Sequence, residues 1–259
     1  MLGSMIGDIV GSVYEWNNIK TEDFEFFKDR CFFTDDTVLT AATAKVLMTG
    51  ISYVEAYQDF SRRYPGRGYG GNFSHWIHAE NPSPYNSWGN GSAMRVSPVG
   101  FAFDTVEEVL AEAERSAVVT HNHPEGIKGA QATALAILLG RQGASQEDIR
   151  QEIKLRFGYD LDRTLNEIRP GYRFDVSCQG SVPEAIIAFL ESEDYEDAIR
   201  KAISLGGDSD TIACITGGIA EAFYGGVPEA IASQARLYLP DEFIEIIDAF
   251  YEKYGAQST

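Results

Sequence analysis

Two stretches of the chain carry paired carboxylates beside a hydroxyl. FFTDDT, at Phe32–Thr37, holds Thr34, Asp35 and Asp36; GGDSDT, at Gly206–Thr211, holds Asp208, Asp210 and Thr211. Each stands just ahead of an apolar run. One such cluster alone reads as a helix cap, because side-chain oxygens satisfy free backbone N–H groups and suit the positive end of the helix dipole. A cap, however, needs one oxygen-bearing side chain, and the three residues named in each motif supply six between them. If they converge, the carboxylates repel unless a cation sits among them. Oxygen-only ligands at this density suit Mg²⁺ or Mn²⁺, as a pair of ions, better than zinc. A further acid, Glu15, ends the apolar segment GDIVGSVYE, one turn after Gly11. A lone glutamate at a helix end is ordinarily solvated; next to a metal cluster it is a candidate general acid or base.

These side chains need elements to hold them, and the dominant pattern is helical. After Asp36, residues Leu39, Ala42, Val46 and Thr49 share a face; Val106, Val109, Leu110, Ala113 and Ala117 follow the same rule in the next long segment. Ser145 and Asp148 stand at capping-box spacing before Ile149, Ile153 and Phe157, with Gly158 as a stop. Asp194 and Gly206 bracket another helix, and Pro183 is expected in the first turn of a third. Ile212, Ile215, Ile219 and Phe223 form the apolar face that follows the second acidic motif. Gly7 and Gly11 share a face if their segment is helical, which permits close packing. Alternation is scarce, and only Gly171–Gly180 hints at extended chain. The expectation is one mostly α-helical domain over residues 1–259. Arg63–Gly100, dense in Gly, Pro, Asn and Ser, reads as a long irregular and functional segment. Thr120–Gly126 (THNHPEG) reads as a second, shorter one between two helices.

The formal net charge is −18 over 259 residues. With no basic stripe, a nucleic-acid partner is not expected. Cys31, Cys178 and Cys214 are odd in number and widely spaced, which suggests neither a disulfide framework nor a zinc ribbon. The apolar start of the chain lacks a basic segment and carries Asp8, so it does not read as a signal peptide. No run is long enough to span a bilayer. A cytoplasmic location is expected. His75 and His78, flanking Trp76, lack a third ligand and read as loop packing. Tyr69, Trp76, Tyr85 and Trp88 serve either to stack a base or to seal the loop against the core.

Five segments together, in order along the chain, resemble the ADP-ribosylglycohydrolase family, which includes the dinitrogenase-reductase-activating glycohydrolases and the ADP-ribosylhydrolases. They are GDIVGSVYE, FTDDT, GNGSAMRVSPVG, THNHPEGIKGA and GGDSDTIACITGGIAEAFYG. The resemblance implies an all-α orthogonal multi-helix bundle with a binuclear Mg²⁺ or Mn²⁺ centre in a central cleft. By position, Thr34, Asp35, Asp36, Asp208, Asp210 and Thr211 would bind metal. Glu15 would work with the metals at C1″ of the distal ribose, whose 2″- and 3″-hydroxyls the metals would hold. Asn90, Gly91, Ser92, Met94 and Arg95 would occupy the loop facing the ADP-ribose diphosphate. His121, His123 and Gly126 would lie near the adenosine. Arg95 suits either a phosphate contact or a structural pairing, since a planar fork serves both. The implied partner is an ADP-ribosylated protein or a small ADP-ribosyl conjugate.

The match is incomplete at one place. Members that cleave arginine linkages use an additional aspartate before the N-G-S loop, and here that region offers Asn72 and Glu80. Two rival readings remain at this level. A crystallin-like branch of the family binds without turning over. A haloacid-dehalogenase-type phosphohydrolase also uses an Asp-x-Asp-x-Thr motif, but after a buried strand, and the residues before Asp208 are helical in pattern.

Overall fold

A computed structural model describes residues 1–255, and among these there are fifteen helices and no strand. In chain order they are α1 (Leu2–Gly11), α2 (Asp35–Thr49), α3 (Tyr53–Arg63), α4 (Gly71–Ile77), α5 (Gly91–Met94), α6 (Ser97–Ala102), α7 (Val106–Val118) and α8 (Pro124–Arg141). There follow α9 (Gln146–Phe157), α10 (Leu165–Ile168), α11 (Cys178–Leu190), α12 (Tyr195–Ser204), α13 (Ser209–Phe223), α14 (Glu229–Arg236) and α15 (Asp241–Tyr254). No helix among the described residues is long and apolar enough to cross a membrane.

The local start and stop signals operate as the sequence suggests. Ser145 and Asp148 close a reciprocal capping box on α9, and Gly158 ends it in the left-handed region. Asp194 accepts from the Asp197 N–H at the start of α12. Three expectations change. Arg63–Gly100 is broken up by the short helices α4, α5 and α6 rather than being irregular throughout. Its Gly and Pro residues punctuate the turns between short helices, which the composition alone does not distinguish from loop. The 171–180 segment forms no strand; a single bridge joins Gly89 to Ser177, and Ser177 then caps α11. Pro183 therefore lies inside α11 instead of in its first turn, because the helix already begins at Cys178.

α1 and α13 run through the centre, and every residue of α1 is buried. Their backbones meet along a row of glycines. A methyl group at Gly3 would strike Glu221 and Gly217, one at Gly7 would strike Ala213, and one at Gly11 would stand 2.5 Å from Asp210 Cα. As numbering rises in α1 it falls in α13, so the two helices are antiparallel. The C-terminal end of α1 thus sits at the N-terminal end of α13. Small residues at i, i+4 and i+8 permit this approach. Around this pair, α2, α8, α11 and α12 complete a core of Ile, Leu, Val, Ala and Phe, with the three cysteines buried as free thiols.

Candidate active site

The antiparallel α1/α13 pair dictates where the acids go. Glu15 lies just beyond α1, and Asp208 and Asp210 open α13, so packing the glycine row carries the three carboxylates to one place. Oxygens of Glu15, Asp208 and Asp210 all lie within 4.8 Å of one another. Gly206 and Gly207 lead into α13 with φ of 67° and 74°, the left-handed region that glycine tolerates. Asn18 grips this turn, accepting from the Gly207 N–H at 2.8 Å and donating to the Gly207 carbonyl at 2.9 Å.

The first acidic motif arrives through Asp8, which is fully buried in α1. Its carboxylate accepts from the Thr34 N–H at 2.9 Å, the Thr34 hydroxyl at 2.6 Å and the Thr37 N–H at 3.0 Å. Asp8 therefore pins the start of α2 to α1. The two motifs then touch: the Thr211 hydroxyl donates to Asp36 Oδ1 at 3.4 Å.

Capping accounts for little of this chemistry. At α2 the cap is the Thr34 hydroxyl, which accepts from the Asp36 N–H, and neither aspartate is needed. At α13, Asp208 occupies the cap position yet makes no capping bond. It accepts instead from Asn90 Nδ2 at 2.6 Å. Asp36 Oδ2 and Asp210 Oδ1 are buried with no hydrogen-bond partner among the described residues. Buried carboxylate oxygens are costly when unpaired. Burial, and then their acidic neighbours, push the carboxyls of Asp36 and Asp210 well above the usual carboxylate range. Asp35 follows the same direction, from burial and then the Asp8 charge. Asp208 is also raised by burial, although its bond from Asn90 opposes the shift. Glu15 is pushed up to about 7 by burial and by Asp208. Orphaned, crowded, oxygen-only donors of this kind fit a hard divalent cation.

The cluster lies in a cleft of ≈ 610 Å³ that is also lined by Thr34, Asn90, Gly91, Met94, Arg95 and His121. Clefts of this size hold ligands of nucleotide scale. Three residues expected there on resemblance do not line it. Ser92 is fully buried and donates to the Gly126 carbonyl at 2.6 Å, holding α5 to α8. Gly126 is tight against Ser87 and His121, so its role is close packing. His123 caps α8 by accepting from the Glu125 N–H. Arg95, though at the cleft wall, is 1% exposed and bound to protein groups. In the segment before the N-G-S loop, Asn72 lines the cleft and Glu80 does not. Trp76 stacks on Phe73 in the core, Tyr85 lines the cleft, and His75 and His78 are exposed away from it.

Residue types missed three contributors. Asp8 reads as a charge interrupting an apolar stretch, and a buried acid there was the available signal. Asn18 carries no sequence signal. Arg67 lines the cleft with its guanidinium 3.7 Å over the Phe33 ring, placed by the turn after α3. The rim is apolar: Trp16, Phe32, Phe174 and Val176 are all well exposed at the cleft mouth, with Trp16 and Phe174 stacked at 5.3 Å.

A model of the ADP-ribosylglycohydrolase family matches residues 1–259. The chain belongs to the ADP-ribosylglycohydrolase family. The chain is 28% identical to the ADP-ribosylhydrolase ARH3 of Mus musculus, over 89% of this chain and 84% of that one. It is also 28% identical to the ADP-ribosylhydrolase ARH3 of Homo sapiens, over 89% and 86%. A solved structure of an ADP-ribosylglycohydrolase-related protein complex superimposes with a TM-score of 0.72 at 24% identity, covering 98% of this chain and 95% of that one. That likeness supports the all-α fold.

Membership in the ADP-ribosylglycohydrolase family disposes of the haloacid-dehalogenase reading. That reading also required a strand before Asp208, where the glycohydrolase fold places α12 and the Gly206–Gly207 turn.

Proposed function

We propose that this chain, acting as one domain over residues 1–259, is a metal-dependent hydrolase. It removes ADP-ribose from a modified arginine or serine side chain, or from a small conjugate, by cleaving the bond at C1″ of the distal ribose. The observation that carries the reading is the convergence of both acidic motifs in one cleft, with Asp36 Oδ2 and Asp210 Oδ1 buried and unpaired. Family membership supports the same substrate class.

Thr34, Asp35, Asp36, Asp208, Asp210 and Thr211 would hold two Mg²⁺ or Mn²⁺ ions. Bound there, the ions supply positive charge that neutralises the carboxylates and fixes the vicinal hydroxyls of the distal ribose. Asn90 keeps Asp208 oriented through its 2.6 Å bond. Asp8 keeps Thr34, and with it the start of α2, in register. Glu15 carries the proton: the C1″ bond breaks with its electron pair going to the departing atom, water oxygen bonds to C1″, and Glu15 relays the proton from water to the leaving atom. Its half-buried carboxyl opens into the cleft beside Asp208 and Asp210, where it can reach the reacting centre. Gly89 and Gly91 together with Gly66–Gly71 present backbone to the diphosphate, and Arg67 adds a cation on that wall.

Hydrolysis of ADP-ribosyl-arginine and ADP-ribosyl-serine peptides, side by side with Mg²⁺ and with EDTA, tests the reading. Chelator-sensitive release of free ADP-ribose from at least one is expected. Release that is indifferent to EDTA would remove the metal from the proposal. No release on either, with ADP-ribose still raising the melting temperature, would leave a binding protein in its place.

A further inference from the structure

Beside the cleft lies a buried relay that the hydrolytic reading does not use. Arg95, from the segment after α5, is 1% exposed, and its Cζ stands 4.3 Å over the Tyr57 ring. Its Nη2 donates to the Ser116 carbonyl at 2.9 Å and to the Thr120 hydroxyl at 2.8 Å. Thr120 is fully buried, and its Oγ1 lies 2.7 Å from His121 Nδ1. His121 in turn lines the cleft, with its Nε2 edge against the Gly89–Gly91 backbone; a methyl group at Gly91 would stand 3.2 Å from Nε2. Tyr85 also lies beside it, with ring centroids 6.1 Å apart, and Gly126 packs against its Cβ.

Counting protons orients the relay. A guanidinium only donates, so Thr120 Oγ1 must accept from Arg95. The hydroxyl keeps one hydrogen, and among the described residues its single other partner is His121 Nδ1. If Nδ1 carried a proton, two donors would face one oxygen and the buried hydroxyl hydrogen would lack an acceptor, an arrangement that folded proteins avoid. The hydroxyl therefore donates to Nδ1, and the ring proton stays on Nε2. That N–H faces the cleft. Burial, and then the Arg95 charge, hold the imidazole well below its usual range, so it remains uncharged at neutral pH.

We propose that Arg95 and Thr120 are positioning residues that lock His121 as the Nε2–H tautomer, giving the cleft a fixed hydrogen-bond donor for an acceptor oxygen of its ligand. Arg95 thus serves the site at one remove, through Thr120, and makes no phosphate contact of its own. The Thr120 carbonyl extends the same support, accepting from the N–H groups of Tyr85 and Ser87 on the cleft wall. That the ligand is an ADP-ribosyl group rests on the function proposed above; the tautomer does not.

The test is a long-range ¹H–¹⁵N correlation spectrum of the whole ¹⁵N-labelled protein without ligand, with the His121 signals assigned by their loss in His121→Gln. Wild type is expected to show an unprotonated Nδ1 and a protonated Nε2. Thr120→Val, which keeps the shape and removes the hydroxyl, is expected to give a mixture of tautomers, and Thr120→Ser to restore the single one. Thr120→Val should also weaken ADP-ribose binding about tenfold, the scale of one lost hydrogen bond, while Mn²⁺ binding stays as in wild type. Arg95→Lys, read by the same spectrum once circular dichroism shows it folded, should loosen the tautomer too. A protonated Nδ1 in wild type, or an undisturbed Nε2–H signal in Thr120→Val, overturns the proposal. If wild type shows the expected tautomer but binds no ADP-ribose, the hydrolase reading fails while the relay stands.

Discussion

Asp36 concentrates the conflict between stability and chemistry. It is buried, one of its oxygens has no partner, and its neighbours are acids. Asp36→Asn keeps the shape and takes one acid, with the charge it carries when ionised, out of the crowd. Without metal, this variant should melt at a higher temperature than wild type, because like-charge repulsion is relieved. Its hydrolytic rate should fall by at least about a hundredfold, the lower range expected for losing a preorganised electrostatic group. Thermal melts in EDTA and a rate assay with Mg²⁺ read the two effects separately. A metal-free Asp36→Asn that melted lower than wild type would mean the carboxylates are not in conflict. Residue identity alone made the six metal-ligand candidates and Glu15 visible, since paired acids beside threonines exceed what capping needs. It did not separate Ser92, His123 and Gly126, which hold backbone, from Asn90 and His121, which face the cleft; that distinction depends on which way each short segment turns.

At the scale of elements, the glycine row of α1 sets the distance between Glu15 and Asp208. Gly11→Ala would normally favour a helix by about 1 kcal/mol. Here the added methyl meets Asp210 Cα at 2.5 Å, against backbone that has no side chain to swing aside. The variant should therefore be destabilised by about 1–3 kcal/mol, the usual cost of overpacking. Its activity should drop as Glu15 moves away from α13. Chemical denaturation and a steady-state assay provide the check, and an unchanged or raised midpoint would show that α1 and α13 are not in close contact. Helix caps were readable beforehand because Ser145, Asp148 and Asp194 act on their own backbone. The starts of α4, α5, α6 and α11 were not, because turn residues bracket short helices and loops alike.

Across the whole molecule, the acidic centre gives stability a pH dependence with a definite sign. Asp8, Glu15, Asp35, Asp36, Asp208 and Asp210 are all held above their ordinary range by burial. The folded chain then binds more protons than the unfolded chain, so metal-free stability rises as pH falls; for Glu15 the window runs from about 7 down to 4.5. His121, depressed by burial, works in the opposite sense, whereas Glu184, raised by burial, adds to the acids. In EDTA the melting temperature should climb between about pH 7 and pH 5. With Mg²⁺ present the trend should reverse, since the cation binds deprotonated carboxylates and its stabilisation, about 2.7 kcal/mol at a hundred times Kd, fades on acidification. A metal-free melting temperature that fell over that range, or an Mg²⁺ effect independent of pH, would count against the shared centre.

What the sequence determined by itself was the chemistry available and the local architecture. Side-chain oxygens, apolar periodicity and caps are properties of neighbouring residues, and they pointed to a mostly α-helical protein with two acid-rich helix starts. Only the tertiary structure decided that these starts meet. Asp36 and Thr211 lie 175 positions apart, and the hydroxyl-to-carboxylate contact between them exists because α1 binds α13 through its glycines and α2 through Asp8. Asn18 on the Gly207 turn and Arg95 behind His121 belong to the same class. Their partners are distant in the chain: no local pattern marks Asn18, and the motif that marks Arg95 does not show what it binds; the burial that gives their hydrogen bonds weight arises only when the helices pack.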